Sequence, residues 1–164
     1  MKTIGTLVLA LLLSLLSTAG LSAKEYKDFY REYRKADKTI SFKVPAGVAS
    51  FFIDKVENKE VKEFLKDLDD LSFLIIDQVT NNTLLDLNQS LPEDLYKELM
   101  VINDGDTEIT FLVNDNGKFV EELIMTVVEP DELIIMCFTG EISHEQAKQL
   151  AKAINVQQAS AFRQ

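Results

Sequence analysis

Cys137 and His144 are the only cysteine and the only histidine in the 164-residue chain. A thiol enzyme or a Ser-His-Asp triad would therefore have to use them. Cys137 lies in the apolar stretch from Leu133 to Phe138, which favours a buried thiol with a raised pKa. His144 lies in the first turn of a predicted helix, where the helix dipole disfavours an imidazolium cation. We predict that these two residues do not form an active site.

Three other groups of residues could bind an ion or carry a modification. The Asp67, Asp69 and Asp70 cluster could hold a hard cation weakly, but a solvated acidic cluster is the favoured interpretation. The stretch 114–117 has the residue types of a calcium loop, but the first and twelfth ligand positions would then be leucines. Asn81 and Asn88 begin glycosylation sequons. Because phosphate-loop, dinucleotide and paired-cysteine motifs are also missing from the sequence, we predict no catalytic, cofactor or metal-binding residue.

Residues 1–23 have the three parts of a cleavable signal peptide. Lys2 supplies a positive start, Leu7 to Leu16 is apolar, and small residues up to Ala23 form a cleavage zone. The apolar run is shorter than the roughly 20 residues that span a membrane, so an uncleaved anchor helix is the less favoured alternative. No cysteine lies at the cleavage zone to carry a lipid. We expect a periplasmic or secreted product without a stable membrane anchor.

The charge of the chain limits its partners. The formal net charge is −10, which opposes binding to nucleic acid and to anionic lipid. The roughly 140 residues after the signal peptide are the usual size of one domain. A single cysteine excludes an internal disulfide.

Residues 24–38 differ in composition from the rest of the chain. They carry a net charge of +2, and Tyr26, Phe29, Tyr30 and Tyr33 recur at helical spacing. We interpret the segment as an amphipathic basic and aromatic arm that either docks on its own domain or binds a partner. The change in composition at Thr39 predicts that the arm is separable from the core.

Residues 39–154 are predicted to form one α+β domain with a largely antiparallel sheet and about four packed helices. Strands are expected at 39–44 and 71–79, the second central in the sheet, and helices at 48–56, 61–68 and 90–100. A three-strand antiparallel meander follows over 107–139, with a tight hairpin at 114–117. Ser143 and Gln146 have the spacing of a capping box for a last helix, which buries Ala147, Leu150 and Ala151. Residues 155–164 are expected to be a flexible tail.

Several of these segments resemble a family of small exported bacterial proteins, domain of unknown function 4252. The resemblance runs over about residues 40–154 and rests on 95–100, the 113–117 hairpin, 120–124 and 140–142, with support from Phe64-Leu65 and the strand 71–77. It implies a location in a Gram-negative envelope but no established activity and no site residues. Many members look like lipoproteins, whereas this chain lacks the lipidation cysteine.

Three hypotheses for the activity follow. We favour an exported cell-envelope protein that binds an unknown protein or small ligand without catalysis, since no catalytic constellation is visible. The alternatives are a hydrolase or thiol enzyme using Cys137 and His144, and a regulatory stress-response component that contacts partners through residues 24–38.

Overall fold

The structure is a computed structural model that describes residues 25–45 and 59–158. These residues form four helices and six strands. In chain order they are α1 (Tyr26–Tyr33), β1 (Thr39–Pro45), α2 (Lys59–Lys66), β2 (Leu68–Asp77), α3 (Asn81–Ser90), β3 (Lys97–Asp104), β4 (Thr107–Asp115), β5 (Val120–Val128), β6 (Glu132–Ile142) and α4 (His144–Gln158). The predicted signal peptide and the predicted helix at 48–56 lie outside the described residues, as do residues 159–164 of the predicted tail.

All six strands form one antiparallel sheet in the order β1-β2-β6-β5-β4-β3. The predicted α+β class and the largely antiparallel sheet are confirmed. Consecutive pairing runs through four strands, β3 to β6, and so is longer than the expected meander over 107–139. Strand β2 pairs with β1 on one side and β6 on the other, in agreement with its prediction as a central strand.

Each face of the sheet carries its own hydrophobic cluster, because side chains alternate between the two faces along a strand. On one face, here called the α1 face, the aromatic residues of α1 pack with residues such as Leu74 and Ile135. On the opposite face, the α4 face, Phe64 of α2 and Ala147 of α4 pack with residues such as Phe111. The protein thus has three layers, with helices on both sides of the sheet.

The prediction of a helix over 90–100 was wrong. The helix in this region is α3, which begins after Thr80, whose hydroxyl accepts the N–H of Thr83 at 3.2 Å. The Ser90 hydroxyl donates to the carbonyl of Leu87 and so closes α3 instead of starting a new helix. Residues 97–104 pair with β4 in a hairpin that turns at 105–106, and this pairing outweighs the helical spacing of Leu95, Leu99 and Met100.

The two strongest local signals at the other end of the chain are confirmed. In the β4–β5 hairpin, Gly117 has a φ of +88°, and the Asn116 side chain accepts the N–H groups of Lys118 and Phe119. Ser143 and Gln146 form the predicted capping box through hydrogen bonds of 2.8 and 3.1 Å. Helix α4 extends to Gln158, so the first four residues of the expected 155–164 tail are helical.

Candidate functional site

Helix α1 packs on its own domain through the predicted aromatic stripe. Tyr26, Phe29 and Tyr30 are buried, and the Phe29 ring stacks on Tyr33 with ring centroids 4.3 Å apart. The Tyr33 hydroxyl donates to the carboxylate of Asp86 on α3 at 2.7 Å. Of the two interpretations of the arm, the structure therefore favours docking, and α1 is positioned as one wall of a cavity.

The floor of this cavity is set by strand register. One row of side chains crosses the sheet from Cys137 on β6 through Ser72 on β2 to Lys43 on β1. The next row on the same face runs from Glu122 on β5 through Thr139 to Asp70. Polar residues from four strands thus lie side by side under α1, next to apolar residues of the same face such as Leu74 and Ile135.

Helix α1 forms the opposite wall. Tyr26 and Tyr30 face the sheet, and Lys27, Arg31 and Arg34 line the cavity as well. The three basic residues are spaced i, i+4, i+7 and therefore form one stripe along the helix. Together with the floor they enclose a volume of about 290 Å³, which we call the α1 cavity.

The buried end of the α1 cavity contains hydroxyl groups in an apolar setting. The hydroxyl of Tyr26 is buried without a hydrogen-bond partner, although Ser72 lies close enough to affect its pKa. Tyr96 does not line the cavity, but its hydroxyl donates to the carboxylate of Glu122, which does, at 2.8 Å. Burial raises the pKa of Tyr26 and of Tyr96, and in Tyr96 the charge of Glu122 adds to the effect. Both phenols are therefore neutral hydrogen-bonding groups at physiological pH.

The four cations at the cavity are engaged to different degrees. Lys27 pairs with Glu25 at 2.6 Å, and Arg31 pairs with Asp28 on the exposed side of α1. Among the described residues, no carboxylate forms a salt bridge with Arg34 or with Lys43. The ammonium group of Lys43 lies 5.7 Å from the ring centroid of Tyr30, over its face. Arg34 and Lys43 thus remain available to an anion.

Comparison with known proteins places the chain in a family. A family model described as a domain of unknown function, DUF4252, matches residues 30–150. The chain belongs to the DUF4252 family. No curated protein and no solved structure matches the chain. The match includes every floor residue of the α1 cavity, Tyr30 and Arg31 on α1, and Arg34 at the C-cap of α1.

In this DUF4252 domain the structure separates Cys137 from His144. Cys137 is 4% exposed and belongs to the cluster on the α1 face, whereas α4, which begins at His144, packs on the α4 face. His144 itself is exposed. Burial raises the pKa of the Cys137 thiol, and the charge of Glu122 raises it further. The thiol is therefore protonated at neutral pH and has no imidazole on its own face of the sheet to activate it.

The remaining candidates of the DUF4252 domain do not come together as a site. Asp67 accepts a hydrogen bond from the Gln146 side chain at 2.7 Å, and Asp69 is exposed beside it. Across the described residues, no group of three or more acidic, histidine or cysteine side chains is arranged to hold a metal ion. Asn81 and Asn88 are exposed on α3. None of the described helices is both long and apolar enough to cross a membrane.

Sequence reasoning identified the aromatic and basic residues of the 24–38 arm, Asp70 and Cys137, but it did not predict the cavity or the lining residues Lys43, Ser72, Glu122 and Thr139. Two local features of the sequence belong to the cavity. Lys27, Arg31 and Arg34 form a basic stripe next to the aromatic one, and Ser72 and Thr139 are polar positions on the buried face of otherwise apolar strands. Neither signal indicates that the two sets face each other, because that depends on the strand order.

Proposed function

We propose that this chain is an exported, non-enzymatic binding domain whose ligand is a small organic anion held in the α1 cavity. The observation that carries the proposal is the concentration of four cationic side chains at one cavity of a protein with a net charge of −10. A cleft lined by one sign of charge raises the local concentration of oppositely charged ligands. The location, in the periplasm or outside the cell without an anchor, rests on the signal-peptide pattern of residues 1–23.

The charges at the mouth favour a carboxylate or a phosphate. Arginine presents a planar fork of donors that matches both groups, and Lys43 adds a cation from the floor of the cavity. Asp70 and Glu122 also line the cavity, and Glu122 is hydrogen-bonded to Tyr96. The net charge of the lining is therefore positive even with these two carboxylates, whereas the chain as a whole is acidic.

The buried end favours a ligand with a second hydrogen-bonding group. A buried hydroxyl without a partner costs roughly 1–3 kcal/mol, and a ligand oxygen at Tyr26 would recover part of that energy. A volume of about 290 Å³ lies at the lower end of the range for small-molecule sites. Both features favour a compact organic acid or phosphate ester over a protein segment.

The state of the thiol supports binding without catalysis. Cys137 lies at the cavity floor, but burial keeps it protonated, and His144 starts a helix on the other face of the sheet. A thiol enzyme would need an activated Cys137. The aromatic rings of residues 24–38 are buried against the domain, so a partner that contacts this segment would meet its basic side chains instead.

Binding can be tested by NMR titration of the ¹⁵N-labelled protein with acetate, succinate, benzoate and phenyl phosphate. We expect at least one of these anions to give saturable shifts at Ser72, Thr139 and Tyr30. The Arg34→Gln/Lys43→Gln double variant should bind it about tenfold or more weakly, since two charge-assisted contacts are lost. Lys148→Gln/Lys152→Gln removes the same charge from exposed positions of α4 and serves as the matched control.

Two results would contradict the binding proposal. One is that no anion in the panel gives saturable shifts in the α1 cavity. The other is that the control double variant weakens binding as much as the Arg34 and Lys43 variant, which would indicate attraction by overall charge. Tyr26→Phe separately tests the buried end and should weaken a ligand that reaches it by several-fold.

Export can be tested by the intact mass of the protein recovered from the periplasm or medium of an expressing bacterium. We expect a product that begins between Gly20 and Lys24. A product that retains residues 1–19 would contradict cleavage and with it the proposed location. This outcome is independent of the anion titration.

A further inference from the structure

A second concave surface lies on the α1 face beyond the Tyr96–Glu122 hydrogen bond. Helix α3 forms one wall through Leu84 and the adjoining Leu91, and residues of β3, β4 and β5 form the floor. Its volume is about 760 Å³, more than twice that of the α1 cavity. We call this surface the α3 groove. It shares no lining residue with the α1 cavity.

The floor of the α3 groove is a shallow trough. Strand register places Val101, Thr110 and Thr126 in one row across β3, β4 and β5, and these are small side chains. Leu112 and Val128 lie in the rows on either side and are both half-buried. This row of small residues crosses the strands and is lower than the rows of Leu112 and Val128, so it leaves room for a bulky apolar side chain of a bound element.

The width of the floor matches one α-helix. Neighbouring strands lie about 4.8 Å apart, so three strands provide a strip of about 10 Å, and an α-helix with its side chains is about 10 Å in diameter. On the opposite face of the sheet, α4 contacts β3 and β5. The α3 groove is therefore the place where a helix would complete the third layer over this half of the sheet.

The charges of the α3 groove are predominantly negative. Glu93, Glu98 and Glu108 line it and are exposed, and the only cation among its lining residues is Lys97. Lys97 forms a weak pair with Asp115 at 3.4 Å, which offsets its charge. The sign is thus the reverse of that at the α1 cavity, and it favours a basic partner over an anionic one.

We propose that the α3 groove binds a basic amphipathic helix of a partner protein. The apolar side of that helix lies over Thr110 between Leu112 and Val128, and its lysines or arginines face the glutamates. Glu98 is opposite Leu112, and Glu108 is opposite Val128, which places the two carboxylates about 13 Å apart along the strand direction. A helix rises 1.5 Å per residue, so its basic residues lie about seven to nine positions apart.

The test uses two synthetic peptides with the full exported protein. The first has leucines at i, i+3, i+4, i+7 and lysines eight positions apart on the flank. The second has the same composition permuted so that no apolar stripe remains. We expect only the first peptide to give saturable NMR shifts at Val101, Thr110 and Thr126. A thermal unfolding scan of each protein variant described below confirms that the variant is folded.

Three variants locate the binding. The triple variant Glu93→Gln/Glu98→Gln/Glu108→Gln should bind the first peptide about tenfold more weakly, as expected for the loss of three exposed ion pairs. The matched control Glu63→Gln/Glu141→Gln/Glu145→Gln removes the same charge from exposed positions on α2, β6 and α4. Thr110→Tyr fills the trough and should abolish binding without a change in net charge.

Several outcomes would overturn the proposal. Equal binding of the permuted peptide, or equal weakening by the two triple variants, would show that only overall charge attracts the peptide. No saturable shift in the α3 groove up to about 1 mM of the first peptide would exclude a helix site of useful affinity. A dimer of the protein alone that Thr110→Tyr disrupts would assign the groove to a second copy of this chain.

Discussion

Replacing Phe29 by alanine is the sharpest test of how α1 is held. Phe29 is fully buried, stacks on Tyr33 and belongs to the cluster that fills the space between α1 and the sheet. Truncating a buried phenylalanine removes its transfer free energy and leaves a cavity, at a cost of about 3–5 kcal/mol. Helix α1 has eight residues, too few for a stable isolated helix, so this packing is what keeps it in place.

Urea unfolding followed by circular dichroism measures this cost. We expect Phe29→Ala to lower the free energy of unfolding by about 3–5 kcal/mol, a large part of the 5–15 kcal/mol typical of a domain. With a slope of roughly 2 kcal/mol per molar urea, the midpoint would fall by about 2 M. Leu85→Ala on α3 is the control, because Leu85 is 55% exposed and should change the free energy by less than about 0.5 kcal/mol.

The same prediction decides whether the 24–38 arm is separable, as the composition change at Thr39 suggested. Burial of the aromatic rings leads us to expect that trypsin cleavage at Arg34 or Lys35 destabilises the remainder. The reasoning would be refuted if the free energy of unfolding of Phe29→Ala is within about 1 kcal/mol of the wild-type value and the urea dependence is unchanged. A remainder that keeps its urea midpoint after removal of the arm would refute it equally.

Two further predictions concern titratable groups on the α1 face. Cys137 should react slowly with thiol reagents in the native protein and fast in denaturant. The His144→Ala substitution should not change either rate. Fast labelling of the native protein that His144→Ala slows would instead indicate an activated thiol. Burial and the hydrogen bond to Asp86 raise the pKa of Tyr33 from 10.0 to about 12, so its stabilising contribution is complete below pH 10 and is lost as the pH rises towards 12. Urea midpoints measured through this pH range should fall less steeply for Tyr33→Phe, and identical slopes would show that Tyr33 does not contribute.

The sequence by itself determined the elements whose signals are local. The β4–β5 hairpin follows from Asn116 and Gly117, whose side-chain acceptor and positive φ close the turn within a few residues. The start of α4 follows in the same way from the capping box of Ser143 and Gln146. The aromatic stripe of α1 and the family membership were also predicted from the residues.

Only the tertiary structure decided the identity of residues 97–104 and the position of the α1 cavity. Residues 97–100 were expected to end a helix over 90–100 and instead begin β3, because pairing with β4 outweighs a weak helical pattern. The cavity brings Arg34, Lys43, Ser72 and Thr139 together from one helix and three strands. Their proximity depends on the strand order β1-β2-β6 and on a register that a shift of one residue would reverse. Such long-range pairing is a property of the folded sheet, and no local segment of the sequence encodes it.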